Sequence, residues 1–321
     1  MNTAIIIGFE GQDGQFLYNY LVSKSYKVIG IGRKNISTNF SEIIQPIDIN
    51  SLKEVSGIIA KTRPSELYYL AAHHHSSEDI IKDEGALIHH SYQTNVIAYS
   101  NFLESIRVYS PQTRIFYAAS SHIFGNPQSE IQNENTEYNP KSIYAITKCS
   151  SLQLSKYYRE NHGLFCSIGI LYNHESHLRK ENFISRKVVK IAIEIKNGFK
   201  NDLKIGNINT IIDWGYAGDF VEAFVKILKC DKSGEFIIAT GQTNKLKTFI
   251  KYVFSYLGMD WKEYVKEDPS FLTRKINGVL CGDYRKLMNL TGWTPKTDLK
   301  SLAQIMVDQE LELSTLNVSR N

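Results

Sequence analysis

Tyr144 and Lys148 stand four residues apart in Ser142-Ile143-Tyr144-Ala145-Ile146-Thr147-Lys148, a spacing that on a helix brings both side chains to one face, a single turn apart. Moving a hydride off a carbinol requires a proton carrier beside the reacting oxygen. A phenol can serve near neutrality if its pKa of about 10 is lowered by roughly 2 to 3 units. An ammonium one turn away supplies part of that lowering. A second hydroxyl lies upstream, where an apolar run ends in Ala118-Ala119-Ser120-Ser121-His122-Ile123-Phe124-Gly125. Ligands of open α/β sheets bind beyond the carboxyl ends of the strands, so Ser120 there can hydrogen-bond a substrate hydroxyl and share its proton with Tyr144.

Such chemistry needs a hydride acceptor, and the N-terminal residues provide a place for one. The apolar residues 4–7 run into Gly8-Phe9-Glu10-Gly11-Gln12-Asp13-Gly14, followed by Phe16, Leu17, Tyr20 and Leu21 on one helical face. Glycines permit the tight turn and let backbone N–H groups approach a pyrophosphate at the helix N-terminus. Gly8, Gly11, Gln12, Asp13 and Gly14 are therefore expected to hold a dinucleotide. After the second apolar run the sequence reads Gly32-Arg33-Lys34. An NAD-binding chain usually places an acid there; a cation pair welcomes a 2′-phosphate, so NADP is expected over NAD. Asp48, with Ile49, is expected beside the adenine.

Strands and helices in alternation must position these groups. Short apolar, β-branched runs recur at 4–7, 27–31, 66–70, 114–118, 166–171 and 236–239, which read as strands. Between them lie helical periods such as Val96, Tyr99, Leu103 and Ile106. The alternation predicts an α/β fold with a Rossmann-type doubly wound parallel sheet. It weakens after Tyr172, where a polar stretch over 174–182, a helix over 183–198 and the segment 260–282 read as a smaller C-terminal region able to close over a ligand. Residues 316–321 read as a frayed tail.

The 321 residues are 42% hydrophobic and 22% charged, with a net charge of +4, which is ordinary for a globular protein. No block of like charge marks a nucleic-acid tail, and no run approaches the roughly 20 apolar residues of a membrane span. The start of the chain lacks the pattern of a signal peptide. Cys149, Cys166, Cys230 and Cys281 show no metal-ligand spacing, which suits reduced thiols in the cytoplasm. Consecutive histidines in His73-His74-His75 project in different directions, and with His89-His90 they gain no cysteine or carboxylate at ligand spacing, so no metal is expected. Trp214, Trp261 and Trp293 read as core or interface aromatics.

Taken together, the motifs resemble the extended short-chain dehydrogenases of the NAD-dependent epimerase/dehydratase type, and within them the GDP-mannose 4,6-dehydratase family. The resemblance covers nearly the whole chain. It rests on Gly8 to Gly14, Leu70-Ala71-Ala72 with His75, Ser142-Ile143-Tyr144 with Lys148, Asn173-His174-Glu175-Ser176, Ser185-Arg186-Lys187, Asp213-Trp214-Gly215, Ala239-Thr240-Gly241 and Gly292-Trp293. It implies a cofactor domain of residues 1–171 plus about 208–241, and a nucleotide-sugar region of 172–207 plus 242–321. It further implies that C4 of a hexose is oxidised by bound NADP, water leaves across C5 and C6, and the hydride returns to C6. Tyr144 would be the base, Lys148 its modulator and Ser120 the family's Thr or Ser. Leu70, Ala71, Ala72, Tyr144, Lys148 and Asn173 would line the cofactor; His75, Ser121, Asn173, Glu175, Arg179, Arg186, Lys187 and Arg274 would face the sugar nucleotide. A GDP-linked substrate and a homodimer or homotetramer are part of the same expectation.

Two positions depart from the family. Two residues beyond Ser120, where the family carries the glutamate of the elimination step, stands His122. Before Asp213, where similar enzymes carry an arginine for the diphosphate, stands Ile212. Histidine can act as both acid and base, and Arg274 or Arg179 could replace the arginine. The first expectation is a dehydratase acting on a GDP-hexose or GDP-heptose, with His122 in the acid–base role. The second is a nucleotide-sugar 4-ketoreductase, C4 dehydrogenase or epimerase without the elimination. The third is a non-catalytic sugar-nucleotide-binding protein.

Overall fold

The structure is a computed structural model that describes residues 2–32, 47–74, 83–268, 270 and 279–318, with side chains of the last helix described to residue 313. In chain order the elements are β1 (Thr3–Ile7), α1 (Gln12–Ser23), β2 (Lys27–Ile31), α2 (Leu52–Thr62), β3 (Glu66–Tyr69), α3 (Glu84–Tyr92), a π-helical turn (Gln93–Ile97), α4 (Ala98–Tyr109), β4 (Arg114–Ser120), a 3-10 turn (Ser121–Phe124), α5 (Ile143–His162) and β5 (Cys166–Leu171). There follow β6 (Asn173–Glu175), α6 (Ile184–Lys196), β7 (Leu203–Ile205), β8 (Ile211–Tyr216), α7 (Ala217–Ile227), β9 (Glu235–Ile238), β10 (Thr243–Lys245), α8 (Leu246–Tyr256), α9 (Trp261–Tyr264), β11 (Val265–Glu267), α10 (Arg285–Thr291) and α11 (Leu299–Val318).

Six strands form one sheet in the order β2-β1-β3-β4-β5-β9, every neighbouring pair parallel. A parallel sheet carries helices on both faces, so its strands must be apolar on both sides. That is the composition of β1, β4 and β5, whose residues are almost all buried. On one face α2, α4 and α5 cover a core that includes Ile5, Ile59, Tyr69, Tyr99, Phe102, Tyr117 and Leu152; on the other, α1, α7 and α10 cover Ile6, Phe9, Leu17, Tyr68, Phe116, Phe224 and Trp293. Each such side chain contributes about 1.5–3 kcal/mol on burial.

A third core joins α6, α8 and α11 through Val188, Ala192, Phe249, Val253, Leu302 and Met306. Beside it lie two small sheets, β10-β8-β6 and β11-β7. Trp214 packs here edge-on to Phe249. So does Ile212, half-buried in the same cluster, where its apolar side chain stabilises packing. The buried Asp213 carboxylate accepts backbone N–H bonds from Thr240 (3.0 Å), Gly241 (3.1 Å) and Gly282 (3.2 Å). Two of the sequence motifs thereby meet as one clasp at the end of β9. No helix among the described residues is long and apolar enough to cross a membrane.

Candidate active site

The chain between β1 and α1 turns on Gly8, whose φ is +86°. A Cβ on Gly8 would lie 2.7 Å from the Ala71 backbone nitrogen, and one on Gly14 would lie 2.5 Å from the Phe9 carbonyl oxygen. Only glycine allows β1, the chain after β3 and α1 to close this tightly. Gly11 caps α1 without a side chain, leaving a helix N-terminus, with its positive dipole end, as the floor of the cradle.

Gln12 and Asp13 direct their side chains to the β6 segment. Gln12 Nε2 donates to the His174 carbonyl (3.0 Å), and its Oε1 accepts from Ser176 Oγ (2.7 Å). Asp13 accepts from His174 Nε2 at 2.9 Å, while His174 Nδ1 faces the Tyr172 carbonyl at 2.7 Å. Both ring nitrogens face acceptors, which calls for a proton on each. Burial disfavours that charge, but the Asp13 carboxylate outweighs it: the His174 pKa is raised and that of Asp13 is lowered. His174 also stacks on Phe220 at 4.7 Å.

Ser142 caps α5, its Oγ accepting from the Ala145 N–H, which sets Tyr144 in the first turn and Lys148 one turn deeper. Lys148 is buried, donates from Nζ to the Ala118 carbonyl at 2.7 Å, and lies 4.8 Å over the Tyr117 ring and 5.7 Å from that of Tyr144. Burial pulls its pKa down to about 7, against the attraction of Asp13. The expectation that the ammonium lowers Tyr144 is not met. Burial prevails instead and pushes the phenol up to about 12, opposed by its hydrogen bond with Ser120 and the charge of Arg179. Ser120 is the last residue of β4, two residues beyond the predicted strand end, and its Oγ accepts the His122 N–H at 3.3 Å. The His122 ring stands 6.1 Å from that of Tyr144 and perpendicular to it. Ser121 is buried at the start of the 3-10 turn.

The remaining sequence candidates divide. Leu70, Ala71 and Ala72 follow β3 against the cradle, Leu70 donating its N–H to Ile7, and Asn173 opens β6. Glu175 accepts from Arg179 Nε (3.2 Å) and from Ser185 Oγ, and Arg179 lies 4.2 Å over the Phe183 ring. Arg186 reaches α11, donating to Glu310 Oε2 (3.1 Å) and to the Arg179 carbonyl (2.8 Å). Lys187 lines a cavity of about 540 Å³ with Phe199, Lys200 and Lys204. Asp48 sits in an exposed turn ahead of α2, accepting the Asn50 N–H at 2.9 Å, and Ile49 packs on the core. Arg33, Lys34, His75 and Arg274 lie outside the described residues. Among the described residues no cluster of His, Cys, Asp or Glu is arranged to hold a metal.

Sequence reasoning passed over two groups. His74 meets the Tyr144 ring at 4.4 Å, perpendicular, and stacks on Phe183 at 5.5 Å; its signal was its place one loop beyond β3. Asn95 lies in the π-helical turn, a feature common at functional sites. Its Oδ1 accepts the His73 N–H (2.8 Å), its Nδ2 donates to Thr147 (2.9 Å), and its carbonyl accepts from Ser151. It thus ties α5 and the loop after β3 together.

The family model for GDP-mannose 4,6 dehydratase matches residues 5–306. GDP-mannose 4,6 dehydratase 2 of Arabidopsis thaliana is 34% identical over 334 residues, covering 97% of this chain and 87% of the relative. Among solved structures, RMD of Pseudomonas aeruginosa with NADPH superposes with a TM-score of 0.82 at 16% identity, covering 96% of this chain and 98% of that one. A dTDP-glucose 4,6-dehydratase of Bacillus anthracis with NAD gives 0.81 at 17%, covering 97% of each. The fold is the Rossmann type those neighbours share, and with a family model spanning its cradle, its Tyr–Lys helix and its C-terminal core, the chain belongs to the GDP-mannose 4,6-dehydratase family.

Proposed function

We propose that the protein oxidises C4 of a GDP-hexose or GDP-heptose and eliminates water across C5 and C6, giving a 4-keto-6-deoxy sugar. The observation that carries the reading is the convergence of Ser120, His122, Tyr144 and Lys148 where β4 ends and α5 begins. The cradle fits a dinucleotide, since Gly8 and Gly14 leave no room for a Cβ and α1 starts uncapped. When bound, the dinucleotide supplies a hydride acceptor for C4 and a donor for C6. Tyr144, hydrogen-bonded to Ser120, is placed to take the C4 hydroxyl proton; to do so the bound substrate and dinucleotide must offset the burial that holds its phenol at about 12, with Lys148, fixed by Ala118, supplying charge behind it. The new 4-keto group acidifies the C5 proton, which His122 removes. Asn173 and Arg179 are inferred to meet the sugar nucleotide.

NADP is the inferred form, on the strength of Arg33 and Lys34. Glu10 also reaches that strand end, since a Cβ on Gly32 would come within 2.8 Å of its carboxylate oxygen. Both dinucleotides therefore belong in the test. A second reading, C4 redox or epimerisation without water loss, rests on His122 standing where the family carries the glutamate of the elimination step; Ile212, engaged in apolar packing, removes a diphosphate contact under either reading.

The test incubates the protein and either dinucleotide with GDP-, UDP-, CDP- and dTDP-sugars and follows product mass. Loss of one water without net reduced dinucleotide is expected. Net reduction, or a change of two hydrogens with no water lost, would establish the second reading. Tyr144→Phe should slow C4 oxidation on the order of 100-fold or more while dinucleotide binding persists, and an unaltered rate would reject Tyr144 as the base.

A further inference from the structure

We propose that His74 carries a proton from Tyr144 to the departing C6 hydroxyl, so that the elimination uses two imidazoles, His122 at C5 and His74 at O6. This rests on the dehydratase reading above. His74 follows β3 and His122 follows β4, neighbouring strands whose carboxyl ends face the cradle. Both rings stand perpendicular to Tyr144, His74 at 4.4 Å and His122 at 6.1 Å. Phe183, stacked on His74 and overlaid by Arg179 at 4.2 Å, holds the nearer imidazole in place.

The proton count of one turnover gives such a carrier a defined task. Oxidation at C4 leaves the O4 proton on Tyr144, and the product keeps its carbonyl, so that proton never returns to O4. His122 takes a proton from C5 and gives one back to C5 once the hydride that left C4 has reached C6, and so ends as it began. The C6 hydroxyl needs one proton to leave as water. One proton is therefore left over at Tyr144 and one is missing at O6. His74, in contact with Tyr144, balances the two. As an imidazolium it protonates O6; the C5–H electron pair becomes the C5=C6 bond and the C6–O pair departs with the water. The Tyr144 phenolic proton moves onto His74 as the imidazole gives its own to O6, so the net transfer runs from the phenol held at about 12 to the departing hydroxide, and both groups are restored. C4 is oxidised and C6 reduced by the same hydride, so no outside oxidant or reductant is needed.

The experiment uses the sugar nucleotide that the unaltered protein dehydrates, in deuterated water, with the reduced-dinucleotide absorbance, deuterium at C5 and water loss followed together. His74→Gln should oxidise C4 once per site and exchange C5 with solvent, yet lose water on the order of 100-fold more slowly. His122→Gln should oxidise C4 but neither exchange nor eliminate. In His74→Ala, added imidazole should restore water loss. The proposal is overturned if His74→Gln eliminates at the unaltered rate. It is equally overturned if C4 oxidation and thermal stability fall together with elimination and imidazole restores nothing, as a merely structural side chain would give. If the unaltered protein removes water from no sugar nucleotide, the dehydratase reading itself fails and this one with it, a result read before any variant is made.

Discussion

A lysine that is 1% exposed is destabilising in its charged form, and the penalty has a predictable pH dependence. Burial brings the Lys148 pKa to about 7, whereas in the unfolded chain it is about 10.4. Between those values the unfolded chain binds a proton that the folded chain does not, so stability rises with pH across the window. Below about pH 7 both states are protonated and the full penalty of the buried ammonium applies. Lys148→Met is therefore expected to raise stability by about 1–3 kcal/mol at neutral pH, after allowing about 1 kcal/mol for the Ala118 carbonyl it leaves without its donor. Denaturant titrations should show that gain shrinking from pH 7 toward pH 10, and turnover should be lost. A Lys148→Met protein less stable than the unaltered one at pH 7 would contradict the account. Identity and spacing made Tyr144, Lys148 and Ser120 legible in the sequence. The sign of the Tyr144 shift was not, because burial depends on what distant segments bring against the ring, among them His74 after β3 and His122 after β4.

At the scale of elements, two glycines in helices separate packing from propensity. A Cβ on Gly14 would strike the backbone oxygens of Phe9 (2.5 Å) and Gly8 (2.6 Å), which cannot yield, whereas one on Gly57 in α2 meets nothing within 4 Å. Gly14→Ala must push α1 off the cradle and is expected to weaken dinucleotide binding more than 10-fold, about 1.4 kcal/mol. Gly57→Ala should leave binding unchanged and stabilise the fold by about 0.5–1 kcal/mol. Binding titrations and melting curves on the pair check both, and equal effects would show that the cradle is looser than its geometry indicates. The six sheet strands were each legible to within two residues, because buried parallel strands must be continuous apolar runs. The π-helical turn was not: Val96 continues the helical stripe of Tyr99, Leu103 and Ile106, and periodicity is blind to one residue of extra backbone just before it.

For the whole molecule, what local sequence missed is what distant segments supply. Asp13 and His174 lie 161 residues apart, and the acid that engages Arg186 comes from Glu310 on α11, so neither pairing leaves a mark on its own stretch of chain. Surface pattern is informative at this scale. Ile97 and Val108, each 50% exposed, are separated by eleven residues of helix, about three turns at 3.6 residues each, and so share one stripe. Tyr157, 52% exposed, adds an aromatic from the adjoining α5. Contiguous exposed apolar side chains mark contact surfaces, and we propose that the Ile97–Val108 stripe joins two copies of the chain. Ile97→Glu with Val108→Glu would place four like charges in a symmetric interface, because each residue occurs once per copy. Sedimentation should then give a single-chain mass where the unaltered protein gives a multiple, with the circular dichroism spectrum unchanged. Both side chains point away from the core, so loss of fold is not the expected outcome. An unaltered protein that sediments as one chain, or a double variant that keeps its multiple, would place the contact elsewhere and leave that stripe as ordinary surface.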